Sequence, residues 1–211
     1  MKTLATLDIR RHLYKASQKD AEGNTRIDIE KSGPLADKVA AEYLGTSGTL
    51  QIGICFYGTE VRTQETVQMV EDRLEYRPMD GGVIDETGGD EWTLKYAFTK
   101  AMQAELKEKG RKDYLRFLIE KVGRQNAIQM ALYAVAGIYK MFQIMAQKGT
   151  TSGLAIGHSP DMLMFVAWAM AGFPEDLSTL DHGDGNLPEG EGYRIALMED
   201  GTLRLVEHLT F

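Results

Sequence analysis

Apolar residues in this chain fall into short runs of strand length, separated by stretches whose apolar spacing lengthens to that of a helix. TLATLDIR (3–10), TLQIGICFYG (49–58) and SGLAIGH (152–158) each read as a buried strand. After a polar, glycine-containing loop over 17–33, Pro34 opens PLADKVAAEYLG, with Leu35, Val39 and Leu44 on one helix face and Gly45 placed as a stop. The second strand is followed in the same way by TEVRTQETVQMVEDRLEYR, where Val61, Val67, Val70 and Leu74 mark an amphipathic helix.

The rest of the chain adds punctuation and cover. DGGVIDETGGDE (80–91) is glycine-rich and acidic and reads as a loop. Helices are expected at roughly 92–109, 111–122 and 124–148, broken at Gly110 and Gly123. SPDMLMFVAWAMAG reads as a buried helix with Ser159 as N-cap and Pro160 at its first position, and 192–209 as a hairpin around EDGT. Strands alternating with helices imply an α/β fold, a three-layer sandwich with a mostly parallel central sheet, helices on both faces and the C-terminal hairpin at the sheet edge. At 211 residues the expectation is one domain over 1–211, with a helical insertion at about 92–148.

Charge narrows the choice of partners. A formal net charge of −7 argues against a nucleic-acid binder working through a general basic surface, so any basic site must be local. The one cysteine, Cys55, excludes an intramolecular disulfide and a thiolate metal cluster, and its apolar surroundings suit a small buried hydrophobe. The first residues lack the apolar stretch of a signal peptide, since Asp8, Arg10 and Arg11 arrive early, so a cytoplasmic protein is expected. IQMALYAVAGIYKMFQIMA (128–146) approaches spanning length but carries Gln129, Lys140 and Gln143, which fits a buried helix better than a membrane segment.

Ligands of open α/β sheets gather beyond the carboxyl ends of the parallel strands. Three segments reach that edge with unusual chemistry: Arg11 and His12 after the first strand, GTEVRTQET after the second and GHSPD after the third. Taken singly, each has a plainer reading, a solvated strand end, a surface arginine or a structural histidine. Taken in order, the set resembles the histidine phosphatase superfamily, which includes cofactor-dependent phosphoglycerate mutases. RRHLYK resembles its strand-end Arg-His-Gly motif, IEKSGPLADKVAAEYLG its first helical segment, and GTEVRTQETVQMV the stretch with its second phosphate-binding arginine and following threonine. VIDETGG stands where its acid/base glutamate is found, LAIGHSPDML is similar to the turn with its second histidine, and LPEGEGYRIALMEDGTLRLV looks like its closing hairpin. Only the helices at about 92–148 are unspecific.

The resemblance implies a metal-independent phosphomonoesterase acting on a phosphorylated small molecule or phosphoprotein, with no cofactor. By that likeness His12 is the nucleophile that becomes phosphorylated. Arg11, Arg62 and His158 hold the phosphoryl group, with His158 also catalytic, and Glu86 is the proton donor, with Asp85 its close rival. The chemistry suits the residues, because guanidinium forks offset charge that spreads over three phosphoryl oxygens in the transition state. One departure stands out: the family's glycine after the histidine is Leu13 here, and Tyr14 and Lys15 replace the polar residues that follow. That substitution motivates a rival reading, a phosphate-binding or interaction module of the same fold with weak or no turnover; a phosphomutase is a third. The helices at about 92–148 are expected to cover the pocket or to form a homodimer contact. DHGDGN, with Asp181, His182 and Asp184, lacks the spacing of a calcium loop, and His208 reads as a strand residue.

Overall fold

A computed structural model describes residues 1–44, 51–84, 105, 114–157, 160–180 and 187–211. The expected helix over 92–109 therefore lies outside the described residues apart from Glu105, as do Asp85, Glu86, Gly45, Gly110, His158, Ser159 and the DHGDGN segment. The chain divides into two compact units, one of residues 1–84, 141–158 and 188–211, the other of 85–140 and 159–187.

The first unit is built on a six-stranded sheet. Its strands are β1 (Thr3–Arg11), β4 (Ile54–Tyr57), β5 (Met79–Val83), β6 (Ser152–Gly157), β7 (Gly192–Met198) and β8 (Leu203–Leu209), in the spatial order β5-β4-β6-β1-β7-β8. The four on one side run parallel, and β7 and β8 form the antiparallel hairpin at the edge. This is the expected α/β arrangement. Helices α1 (Ile29–Ala41) and α2 (Val61–Glu71) lie over one face, where Val39, Ala40, Tyr43, Val67 and Val70 close on Cys55, Leu154 and Ile156. The last turns of α4 (Arg124–Gln147) meet the other face, the Met145 sulfur coming within 3.1 Å of where Gly153 would carry a Cβ.

Two local expectations are corrected. Residues within the supposed loop 17–33 pair as a small antiparallel ribbon, β2 (Lys15–Lys19) with β3 (Thr25–Ile27), and α1 begins at Ile29 rather than at Pro34. Asp28 is the reason, since its side chain accepts from the Lys31 N–H at 3.2 Å and its carbonyl from the Ser32 N–H at 2.9 Å. That cap starts the helix five residues early and leaves the proline inside it. The second correction is β5, whose sequence MDGGV reads as loop. Gly81 is required there because a Cβ would sit 2.4 Å from the Phe56 ring on the neighbouring strand. A strand with glycine at its centre shows no apolar alternation, so the sequence pattern hides it.

The second unit holds α3 (Tyr114–Val122), the first four turns of α4 and α5 (Pro160–Met170). Trp168 on α5 is fully buried, its indole N–H donating to the Pro174 carbonyl at 3.0 Å, with Phe173 edge-on at a centroid distance of 5.0 Å. Among the described residues no helix is long and apolar enough to cross a membrane.

Candidate active site

Arg10, Arg11 and His12 leave β1 one after another, and strand alternation sends the two arginines to opposite faces. Arg10 turns toward α1. There it pairs with Glu42, donates to the Gly190 carbonyl at 3.0 Å and lies 5.3 Å over the Phe211 ring. Asp8, two residues earlier on the same face, is held by Arg194 through bonds of 2.7 and 2.8 Å and accepts from the Tyr43 hydroxyl at 2.6 Å. Burial pushes the Tyr43 hydroxyl well above its ordinary range, and the Asp8 carboxylate holds the Arg194 guanidinium above its own. Arg10 is thus a structural cation in a buried ion network.

Arg11 and His12 belong to the carboxyl edge of the sheet. Arg11 ends β1 in register with Gly157, the last residue of β6, and its N–H donates to the Glu191 carbonyl at 2.9 Å. The His12 N–H continues the ladder to the Gly157 carbonyl at 3.0 Å. Both side chains are almost wholly buried, as is Arg62 in the first turn of α2. Thr66 ties the two segments together: its hydroxyl donates to the Arg62 carbonyl at 2.8 Å and accepts from the Leu13 N–H at 3.2 Å. Thr63 braces the same turn, its hydroxyl donating to the Gly58 carbonyl at 2.8 Å.

The imidazole of His12 is oriented by its own neighbour in the chain. Nδ1 lies 2.6 Å from the Leu13 carbonyl oxygen, which can only accept, so Nδ1 carries a proton, and a neutral ring then has its lone pair on Nε2. Burial lowers the Arg62 guanidinium from its ordinary value, Glu60 opposes that shift and the positive charge of Arg11 adds to it. Two guanidinium groups near enough to repel each other favour an anion between them.

Leu13, the departure from the expected glycine, is accommodated without cost to the backbone. Its side chain is 1 % exposed and packs in the apolar cluster with Ala36, Val39 and Val67, and its φ is negative. The site's acidic member is one the sequence did not single out. Glu189 lies in the turn before β7 and pairs with Arg11 at 3.0 Å. LPEGEG reads only as the approach to a hairpin, and nothing in its spacing marks it as reaching the end of β1. His208, read as a strand residue, is one, and its Nε2 lies 3.4 Å from Glu191. Of the residues expected in the site, Arg11, His12 and Arg62 are brought to one edge, while Glu86, its rival Asp85 and His158 lie outside the described residues. Among the described residues no three His, Cys, Asp or Glu side chains are grouped so as to hold a metal ion.

No family model matches the chain, and no curated protein matches it in sequence. Solved structures do match in fold. The phosphoglycerate mutase of Bacillus anthracis str. Sterne is 13% identical with a TM-score of 0.56, over 96% of this chain and 91% of its own. The protein histidine phosphatase SixA complexed with tungstate is 15% identical with a TM-score of 0.52, covering 97% and 96%. A mycobacterial glucosyl-3-phosphoglycerate phosphatase in complex with VO3 is 12% identical with a TM-score of 0.55, covering 98% and 100%. The chain therefore has the phosphoglycerate mutase-like fold.

Proposed function

We propose that this protein is a phosphomonoesterase of the histidine phosphatase superfamily, working through a phosphohistidine at His12. One observation supports the reading: Arg11, His12 and Arg62 lie buried at the carboxyl edge of a sheet with this fold, with the His12 Nδ1 turned to the Leu13 carbonyl. Of the similar structures, one is a protein histidine phosphatase with tungstate, a tetrahedral oxyanion, and another a glucosyl-3-phosphoglycerate phosphatase with VO3.

The chemistry runs in two displacements. The Nε2 pair attacks phosphorus, and the bond from phosphorus to the leaving oxygen breaks with its electrons on that oxygen, which takes a proton from a carboxylic acid, Glu86 or Asp85. Water then attacks the phosphoryl group and gives its proton to the same carboxylate. The P–N bond breaks, its pair returns to Nε2, and inorganic phosphate leaves. Arg11 and Arg62, with His158 as a further donor, hold the equatorial oxygens and offset their charge in both steps. A neutral imidazole is needed at the start, and neighbouring guanidinium groups disfavour the imidazolium.

The test is hydrolysis of an aryl phosphate by the purified chain in EDTA. Steady phosphate release that His12→Ala removes by roughly a thousandfold or more supports the mechanism. Undiminished turnover by that variant would rule it out. Anion binding without release from any of a broad panel of phosphate esters would favour the non-catalytic module instead.

A further inference from the structure

We propose that Glu189 is a built-in counter-anion of the phosphate site, a carboxylate that occupies one edge of Arg11 and competes with phosphate for it. The inference rests on the reading of Arg11 as a phosphate ligand.

The pair is constructed by the backbone and does not depend on a chance meeting of long side chains. On one side of Glu189, Pro188 offers its carbonyl to the Glu191 N–H at 3.3 Å. On the other, Arg10 donates to the Gly190 carbonyl at 3.0 Å and the Arg11 N–H to the Glu191 carbonyl at 2.9 Å. Gly192 lets the strand come in this close, since a Cβ there would fall 1.9 Å from the Ile9 carbonyl oxygen. The turn is thus closed on itself and pinned to the end of β1 through the two residues that follow Glu189, which lowers the conformational cost of bringing the carboxylate to Arg11.

The two partners differ in exposure. The Arg11 side chain is 8% exposed and that of Glu189 27%, so the anion is the partner in contact with solvent. A carboxylate satisfies one edge of a guanidinium fork and carries a single charge. A phosphoryl dianion that takes the same donors must displace that carboxylate or accept its repulsion at close range. Without bound phosphate, Glu189 offsets the mutual repulsion of Arg11 and Arg62. With phosphate bound, it weakens the hold, and it reoccupies Arg11 as the product leaves. The effect is to limit inhibition by free phosphate in a site whose two guanidinium groups would otherwise retain it.

The test is calorimetric titration of the full chain with inorganic phosphate, comparing the parent, Glu189→Gln, Glu189→Ala and Arg11→Ala, with Glu75→Gln as an exposed charge-removal control. Circular dichroism checks that each variant is folded. Both substitutions at 189 are expected to tighten phosphate binding about fivefold, as loss of a partly exposed opposing charge should, while the control leaves it unchanged and Arg11→Ala weakens it. Binding that depends on Arg11 but is equal or weaker in both variants at 189 overturns the counter-anion while leaving the site's reading intact. Phosphate bound equally well by Arg11→Ala, or by none of the proteins, overturns that reading and the inference with it.

Discussion

Neighbouring residues at the end of β1 carry opposite tasks. Arg11 and His12 belong to the proposed phosphate site, whereas Asp8 and Arg10 sit in a buried ion network under α1, and different measurements expose the two roles. Arg62→Ala is expected to cut kcat/KM by about a hundredfold or more, the scale of losing one preorganised charge donor, with little change in the urea midpoint. Arg194→Met should do the reverse. It strands the buried Asp8 carboxylate with only the Tyr43 hydroxyl and should cost about 3–5 kcal/mol in urea unfolding. A loss below about 1 kcal/mol would show that water reaches Asp8 freely. The sequence shows the Arg-Arg-His run but not its division, although alternation along a strand predicts that consecutive arginines part company. Leu13 teaches the complementary lesson. In sequence it is a missing glycine at a sensitive place, while in the fold it belongs to the apolar cluster beneath α1 and α2. The Arg11 and Glu189 pairing was not legible at all, since it spans most of the chain and depends on β7 lying against β1.

At the scale of elements, apolar runs and helical spacing found those with apolar surface to bury and missed those built on glycine or on caps. β1, β4 and β6 show as apolar runs because both of their faces are buried, α2 shows through its helical spacing and the C-terminal hairpin through its turn. β5 does not, because Gly81 gives room to the Phe56 ring. Gly81→Ala is therefore expected to destabilise the protein by about 1–3 kcal/mol through overpacking at the sheet edge, read as a lower urea midpoint. An unchanged midpoint would mean that β5 moves aside and its pairing with β4 is weak. The early start of α1 has a similarly local origin. Asp28→Ala should cost about 1 kcal/mol, and the same unfolding experiment would detect it.

Over the whole molecule, the acidic balance gives stability a pH dependence that individual carboxyls can be tested for. Burial raises the Glu71 carboxyl above its ordinary 4.5, with Asp80 and Asp72 adding to the shift and the Cys55 thiol and Arg77 opposing it. A raised carboxyl binds its proton more tightly in the native state than in the unfolded chain. Its stabilising contribution is therefore complete below pH 4.5 and is lost as pH rises through the native value. Glu71→Gln should flatten the decline in unfolding free energy from pH 4.5 upward relative to the parent; a steeper decline would reverse the sign of the shift.

The central claim is that His12 takes the phosphoryl group during turnover. Rapid quenching into alkali after mixing with a radiolabelled phosphate ester, followed by peptide mapping, tests it most directly, because a phosphohistidine survives alkali and is lost in acid. The account predicts label on the peptide containing His12, formed and discharged at rates that support turnover and absent in His12→Ala. Sustained hydrolysis with no label on that peptide would contradict it.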